Sequence, residues 1–203
     1  MRSLVGLRIL LCTFILCSAL AAQAATRWDE SVDGDLSSDG LAPTPLLMGA
    51  GSNLVLGLVG NSGLGIDRDY FSFLVPTGST LAAIKLLSNT AVSGGASFIA
   101  IEPGAQLDVS PSGAGVERLI GFAHYGNDQI GTNILPDMAI SFSGALPSGV
   151  YSVWVQDTGG PATYGLDFVI SSAVPEPGSL LMLACGLAMV AGVTRRRTSR
   201  GTR

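Results

Sequence analysis

The sequence predicts an all-β fold, an antiparallel β-sandwich or jelly roll of about eight strands, flanked by an N-terminal signal helix and a C-terminal transmembrane helix. Three observations predict it. Short apolar runs recur between clusters of turn-forming residues, and none lengthens into an amphipathic helix. Glycine is abundant, with 27 residues, whereas Lys85 is the single lysine, a composition suited to turns and short strands. Both chain ends carry uncharged apolar segments beside arginines.

The first element is an export address. Arg2 and Arg8 make a positive start, Ile9 to Leu20 a short apolar core, and Ala22-Gln23-Ala24 a small-residue cleavage site. Residues 1–24 therefore read as a signal peptide, cut after Ala24. A lipoprotein signal would need a small residue before its cysteine, but Cys12 follows Leu11 and Cys17 follows Leu16.

The body, 26–172, is long enough for one domain with a single core. Its strands are expected at Leu54 to Val59, Tyr70 to Val75, Leu81 to Leu87, Phe98 to Ile101, Leu119 to Ala123, Ala139 to Phe142, Val150 to Val155 and Tyr164 to Ile170. Leu81 to Leu87 also fits one or two helical turns. Phe71 and Phe73 alternate and so face one side of a sheet. Pro76-Thr77-Gly78 closes their strand, and Gly60-Asn61-Ser62-Gly63 reads as a turn between two strands. Pro147-Ser148-Gly149 feeds the seventh strand, with Asp157-Thr158-Gly159-Gly160-Pro161 as the hairpin after it.

Charge is distributed unevenly. The body holds four basic residues, Arg27, Arg68, Lys85 and Arg118, against fourteen acidic ones, a net charge of −10 that the overall −4 conceals. Nucleic acid, which needs basic patches on its phosphates, is excluded as a partner. Cations outside the cell are favoured. All three cysteines, Cys12, Cys17 and Cys185, lie in the terminal apolar segments, so the body has neither a disulfide nor a cysteine metal site.

The last element, 174–203, has three parts in order. Val174-Pro175-Glu176-Pro177 is stiff and extended, because proline lacks an N–H and restricts its predecessor. Ser179 caps an uncharged helix, Leu180 to Val193, and Arg195-Arg196-Arg197 stops it on the cytoplasmic side. Its fourteen residues cover about 21 Å of a hydrocarbon core near 30 Å, a short span. Ala184, Ala188 and Gly192 stack at four-residue spacing, a face that admits a second helix in lipid.

This ordered trio resembles the PEP-CTERM sorting signal of exported bacterial proteins, over about thirty of the 203 residues. The resemblance implies recognition by an exosortase, a membrane-embedded cysteine transpeptidase, and an association with exopolysaccharide and biofilm matrix. It implies export through the inner membrane and transient anchoring with the body outside and the C-terminus cytoplasmic. Cleavage at or beside Pro175-Glu176-Pro177 would then release the body to the cell surface or the extracellular matrix. The body in turn resembles the bacterial pre-peptidase C-terminal domain, a small β-sandwich. The likeness rests on Asp67-Arg68-Asp69-Tyr70-Phe71-Ser72-Phe73 with its Pro76-Gly78 turn, and on Gly149-Val150-Tyr151-Ser152-Val153-Trp154-Val155. Members usually accompany a catalytic domain, and this sequence holds none.

Chemistry-bearing motifs are few. The Ser62 loop is similar to that of a trypsin-like nucleophile, but there the base precedes the serine, and the single histidine here, His124, lies far downstream in what reads as a surface loop. One histidine without cysteine makes no zinc site. The acids between Asp29 and Asp39 are punctuated by glycine, as calcium loops are, and Asp33, Asp35 and Asp39 are the candidate calcium ligands. The segment departs from the EF-hand order, and a solvated turn-forming stretch is the competing reading. No cofactor besides calcium is expected.

The function expected is that of an exported, non-enzymatic surface or matrix protein. One alternative is a carbohydrate-binding module stacking Trp28, Tyr125, Trp154 or Tyr164 on exopolysaccharide. Another is a hydrolase with an unrecognised carboxylate pair.

Overall fold

The computed structural model describes residues 25–93 and 95–172, and Gly186 beyond them. The chain divides into two compact units, Met1–Ser171 and Ser172–Arg203. The segments expected to form a signal peptide, 1–24, and a sorting signal with a helix at 180–193 lie outside the described residues, Gly186 apart. Among the described residues no helix is long and apolar enough to cross a membrane.

The first unit is mostly β. Its strands are β1 (Ala25–Asp29), β2 (Thr44–Leu46), β3 (Gly51–Asn61), β4 (Ile66–Val75), β5 (Ser79–Leu86), β6 (Ser97–Pro103), β7 (Gly121–Tyr125), β8 (Gly149–Gln156) and β9 (Ala162–Ser172). Two four-residue helices, α1 (Glu30–Asp33) and α2 (Leu135–Met138), complete the regular structure with two 3-10 turns. Hydrogen bonding orders the strands β5-β9-β3-β4-β8-β6-β7 in one curled, largely antiparallel sheet. Two short strands join it in parallel, β1 on β3 and β2 on β4.

The curl arises at the β3–β4 turn. Asn61 accepts from the Gly63 N–H at 2.9 Å, and Ser62 donates to the Gly65 carbonyl, as a turn requires. The two strands pair only at Gly60–Asp67 and Asn61–Ile66 before they part. β3 then follows β9 from Gly51 to Val59, while β4 follows β8 from Arg68 to Val75. Apolar side chains fill the space between. Phe168 of β9 meets Phe71 and Phe73 of β4 edge-on at 5.6 and 5.3 Å, and Val55, Val153 and Leu166 are fully buried beside them. Phe71 and Phe73 thus share the inner face, as their alternation requires.

A second apolar cluster lies on the outer face of β4, β8 and β6. Tyr70 stacks on Trp154 at 5.8 Å, and Leu107, Val109 and Leu119, from the segment that links β6 to β7, cover both rings.

Three expectations need correction. Asp157 to Pro161 is no hairpin: β8 and β9 are not neighbours, and the segment carries the chain across the curl. Ala139 to Phe142 is no strand: α2, with Pro136 in its first turn, ends just before it at Met138, and a single bridge joins Ala139 to Gly121. His124 sits on β7, exposed, rather than in a loop. Of Leu81 to Leu87, for which helix was the alternative, Leu81 to Leu86 lie on β5.

Replacing Phe168 with alanine removes a ring that two others clasp. We expect a loss of about 3–5 kcal/mol in urea unfolding, against about 0.5 kcal/mol or less for Leu64→Ser at the fully exposed β3–β4 tip.

Candidate metal centre

Four acids converge where the N-terminal segment crosses β3 and β4. β1 runs beside β3 as far as Leu56, which delivers Glu30 to the next residues of that strand. Glu30 Oε2 accepts from the Leu58 N–H at 2.7 Å and Oε1 from the Leu36 N–H at 3.2 Å. Asp29 caps the single turn of α1, and Gly34, at φ 91°, reverses the chain in a conformation that favours glycine. Asp35 follows immediately. Asp69 comes from β4, on the same inner face as Phe71 and Phe73 by the two-residue alternation of a strand.

One carboxylate oxygen from each of Glu30, Asp35 and Asp69 lies within 4.8 Å of the others. Asp67 adds charge nearby, and burial followed by the charge of Asp35 raises its own pKa.

Asp69 has no solvent exposure. The Tyr164 hydroxyl donates to its Oδ2 at 2.6 Å, while no donor reaches Oδ1; the Glu30 carboxyl is the neighbour with which Asp69 can share a proton. Tyr164 reaches it because Gly57 stands opposite on β3: a Cβ there would fall 2.5 Å from the phenol oxygen. The other buried aspartates are well supplied. Asp157 accepts from Ser97 Oγ, Ser93 N and Gly159 N, and Asp167 from Ser52 Oγ and Asn53 N. A buried carboxylate with an orphan oxygen is costly. Two species can satisfy it, a proton of its own or a cation.

The electrostatics follow from that geometry. Burial first, then the charge of Glu30, pushes the Asp69 pKa up to about 9. Burial also raises that of Glu30, but two backbone N–H donors hold charge on it. The proton of the pair therefore belongs to Asp69. Burial and the neighbouring carboxylates raise the Tyr164 pKa, so its hydroxyl remains a donor.

The carboxylates suit a hard cation. Oxygens bound to one calcium at 2.3–2.6 Å can stand at most about 5.2 Å apart, and these three satisfy that limit. Of the acids expected as ligands, Asp35 is in the cluster, but Asp33 and Asp39 are elsewhere. Asp33 Oδ2 accepts from the Asp29 N–H, and Asp39 Oδ1 from the Leu41 N–H, both as local turn bonds. Glu30 and Asp69 take their places. The alternation that puts Asp69 beside Phe71 was the available signal.

The other candidate residues are dispersed. Tyr125, Trp154 and Tyr164 are buried, 1%, 4% and 1% exposed, so none offers a ring face to a sugar. Trp28 packs against the core and donates to the Gly34 carbonyl. His124 lies edge-on against Phe98 at 5.4 Å. Val174, Pro175, Glu176, Pro177, Arg195, Arg196, Arg197, Ala22 and Ala24 lie outside the described residues. No protein-family model and no curated protein matches the chain.

Unfolded, Asp69 loses its proton near pH 3.8, but folded it keeps it to about 9. In that window the native state binds the extra proton, so its stabilisation is complete below about pH 4 and fades as pH rises toward 9. In chelator, the urea midpoint should fall between pH 5 and 8.5. Asp69→Asn, which mimics the protonated acid, should flatten that slope; a flat wild-type profile would contradict the assignment.

Proposed function

We propose that this chain is an exported, non-enzymatic surface or matrix protein whose body is a β-sandwich module completed by calcium at Glu30, Asp35 and Asp69. The observations that carry the metal reading are that buried Asp69 has an oxygen no donor reaches, and that its carboxyl gathers with two further carboxylates from a different part of the chain. The N-terminal turn supplies Glu30 and Asp35 and β4 supplies Asp69, so a cation would tie that turn to the sheet. Extracellular modules hold calcium at about 10⁻⁴–10⁻³ M. Such a site fills outside the cell and stays empty of calcium in the cytoplasm, which couples completion of the fold to export.

Sequence supports the remainder of the reading. The Ala22-Gln23-Ala24 site would release the signal peptide, and an exosortase-type transpeptidase would act at Val174-Pro175-Glu176-Pro177 while residues 180–193 and Arg195-Arg196-Arg197 hold the chain in the membrane. The body would then pass to the cell surface or the exopolysaccharide matrix.

Millimolar calcium should raise the melting temperature of the full chain by about 3–6 °C, the effect of about 1.4 kcal/mol of binding energy at tenfold saturation. Asp35→Asn, an exposed change, should abolish most of the shift; an unaltered melt across millimolar calcium would overturn the metal reading. Separately, the intact mass of protein from the cell surface should place its C-terminus at or beside Pro175-Glu176-Pro177. A mature form still ending at Arg203 would overturn the sorting reading.

A further inference from the structure

On the outer face of β4 two clefts meet between the segment 38–45 and the loop 104–118. One, of about 350 Å³, is lined by Arg68, Tyr70 and Asp108; the other, of about 650 Å³, by Ser72, Glu102, Asp108 and Arg118. Leu41 and Asp108 line both, so the two form one groove. Its size is that of a small-molecule site.

The groove has a distinctive chemistry. Two of the four basic side chains of the body, Arg68 and Arg118, line it, in a domain whose net charge is strongly negative. They face Asp39, Asp108 and Glu102, so neither sign dominates. Several groups are held in place. Arg68 Nε donates to Gln156 Oε1 at 3.0 Å and its Nη1 to the Ile66 carbonyl. Glu102, 6% exposed, accepts from the Asp108 N–H at 3.1 Å, and Arg118 pairs with Asp108 at the rim. Tyr70, fixed against Trp154, forms the floor. The second apolar cluster packs below it.

Such a lining discriminates among ligands. A phosphate or sulfate chain would meet three carboxylates, and a cationic peptide two guanidinium groups. A polyol satisfies both kinds of group, because each hydroxyl donates to a carboxylate and accepts from an arginine or serine. We propose that this groove binds an uncharged oligosaccharide segment, with Arg68, Asp108 and Arg118 as the residues that hydrogen-bond its hydroxyls. The site is independent of the calcium reading, since none of Glu30, Asp35 and Asp69 lines it.

The test is affinity electrophoresis of the full chain in a detergent without a sugar headgroup. The gels contain hydroxyethylcellulose, dextran, galactomannan or, as a polyanion, alginate. Retardation is expected in at least one neutral gel, with and without calcium. Arg118→Ala, at a half-exposed rim position, should weaken it about tenfold, the worth of one charged hydrogen bond. Glu102→Gln keeps the acceptor for the Asp108 N–H and should weaken it while leaving the melting temperature within about a degree. His124→Ala, on β7 outside the groove, should leave retention unchanged. Retardation in no neutral gel, retardation by alginate alone, or loss on His124→Ala with none on Arg118→Ala would each overturn the proposal.

Discussion

The carboxyl of Asp69 is the constraint on which the arrangement around it depends. Strand alternation forces it onto the same face as Phe71 and Phe73, where it has no exposure, Tyr164 as its one donor and Glu30 as the neighbour to share a proton with. An ionised carboxylate cannot remain there without compensation. The surroundings look built for that compensation. Gly57 clears space for the phenol, and Glu30 is itself anchored by the Leu36 and Leu58 N–H groups. Asp35 closes the third side. The same contacts fasten the N-terminal turn across β3 and β4, so the state of one carboxyl bears on whether that turn stays docked.

Satisfied and unsatisfied buried acids play different parts in this domain. Asp157 and Asp167 each receive at least two donors and pin loops and strands together. Asn53, fully buried, is saturated in the same way, accepting from Arg27 and Gly49 while its two amide hydrogens are shared among three carbonyls. Asp69 alone among these is left with an orphan oxygen. The outer face of the sheet shows a second division of labour. The apolar cluster of Tyr70, Trp154 and the 104–120 segment seals the strands from water, and the groove lies on its rim among polar groups.

Much of the strand pattern was legible in the sequence, because a strand covered on both faces reads as a short apolar run between turn residues. Tyr70 to Val75 on β4 and Val150 to Val155 on β8 show this. β1 and β2 carried no such signal: they are five and three residues long and pair in parallel with distant partners. The Asp157 to Pro161 turn has hairpin chemistry, yet the curl, which no local pattern encodes, sends β9 to β3 instead of β8. The same non-locality governed the metal centre. Contiguous acids such as Asp33 and Asp39 are consumed by local turn bonds, whereas Asp69 enters from a strand thirty-odd residues away in sequence. Trp154 and Tyr164 read as exposed aromatics because the loop and the partner strand that bury them lie far along the chain.

The most direct measurement is a crystal structure of the protein grown in millimolar calcium, with anomalous differences collected to locate the ion. The account predicts a peak 2.3–2.6 Å from carboxylate oxygens of Glu30, Asp35 and Asp69, with the Tyr164 hydroxyl still donating to Asp69. A peak at Asp33 or Asp39, or none within reach of Asp69, would contradict it.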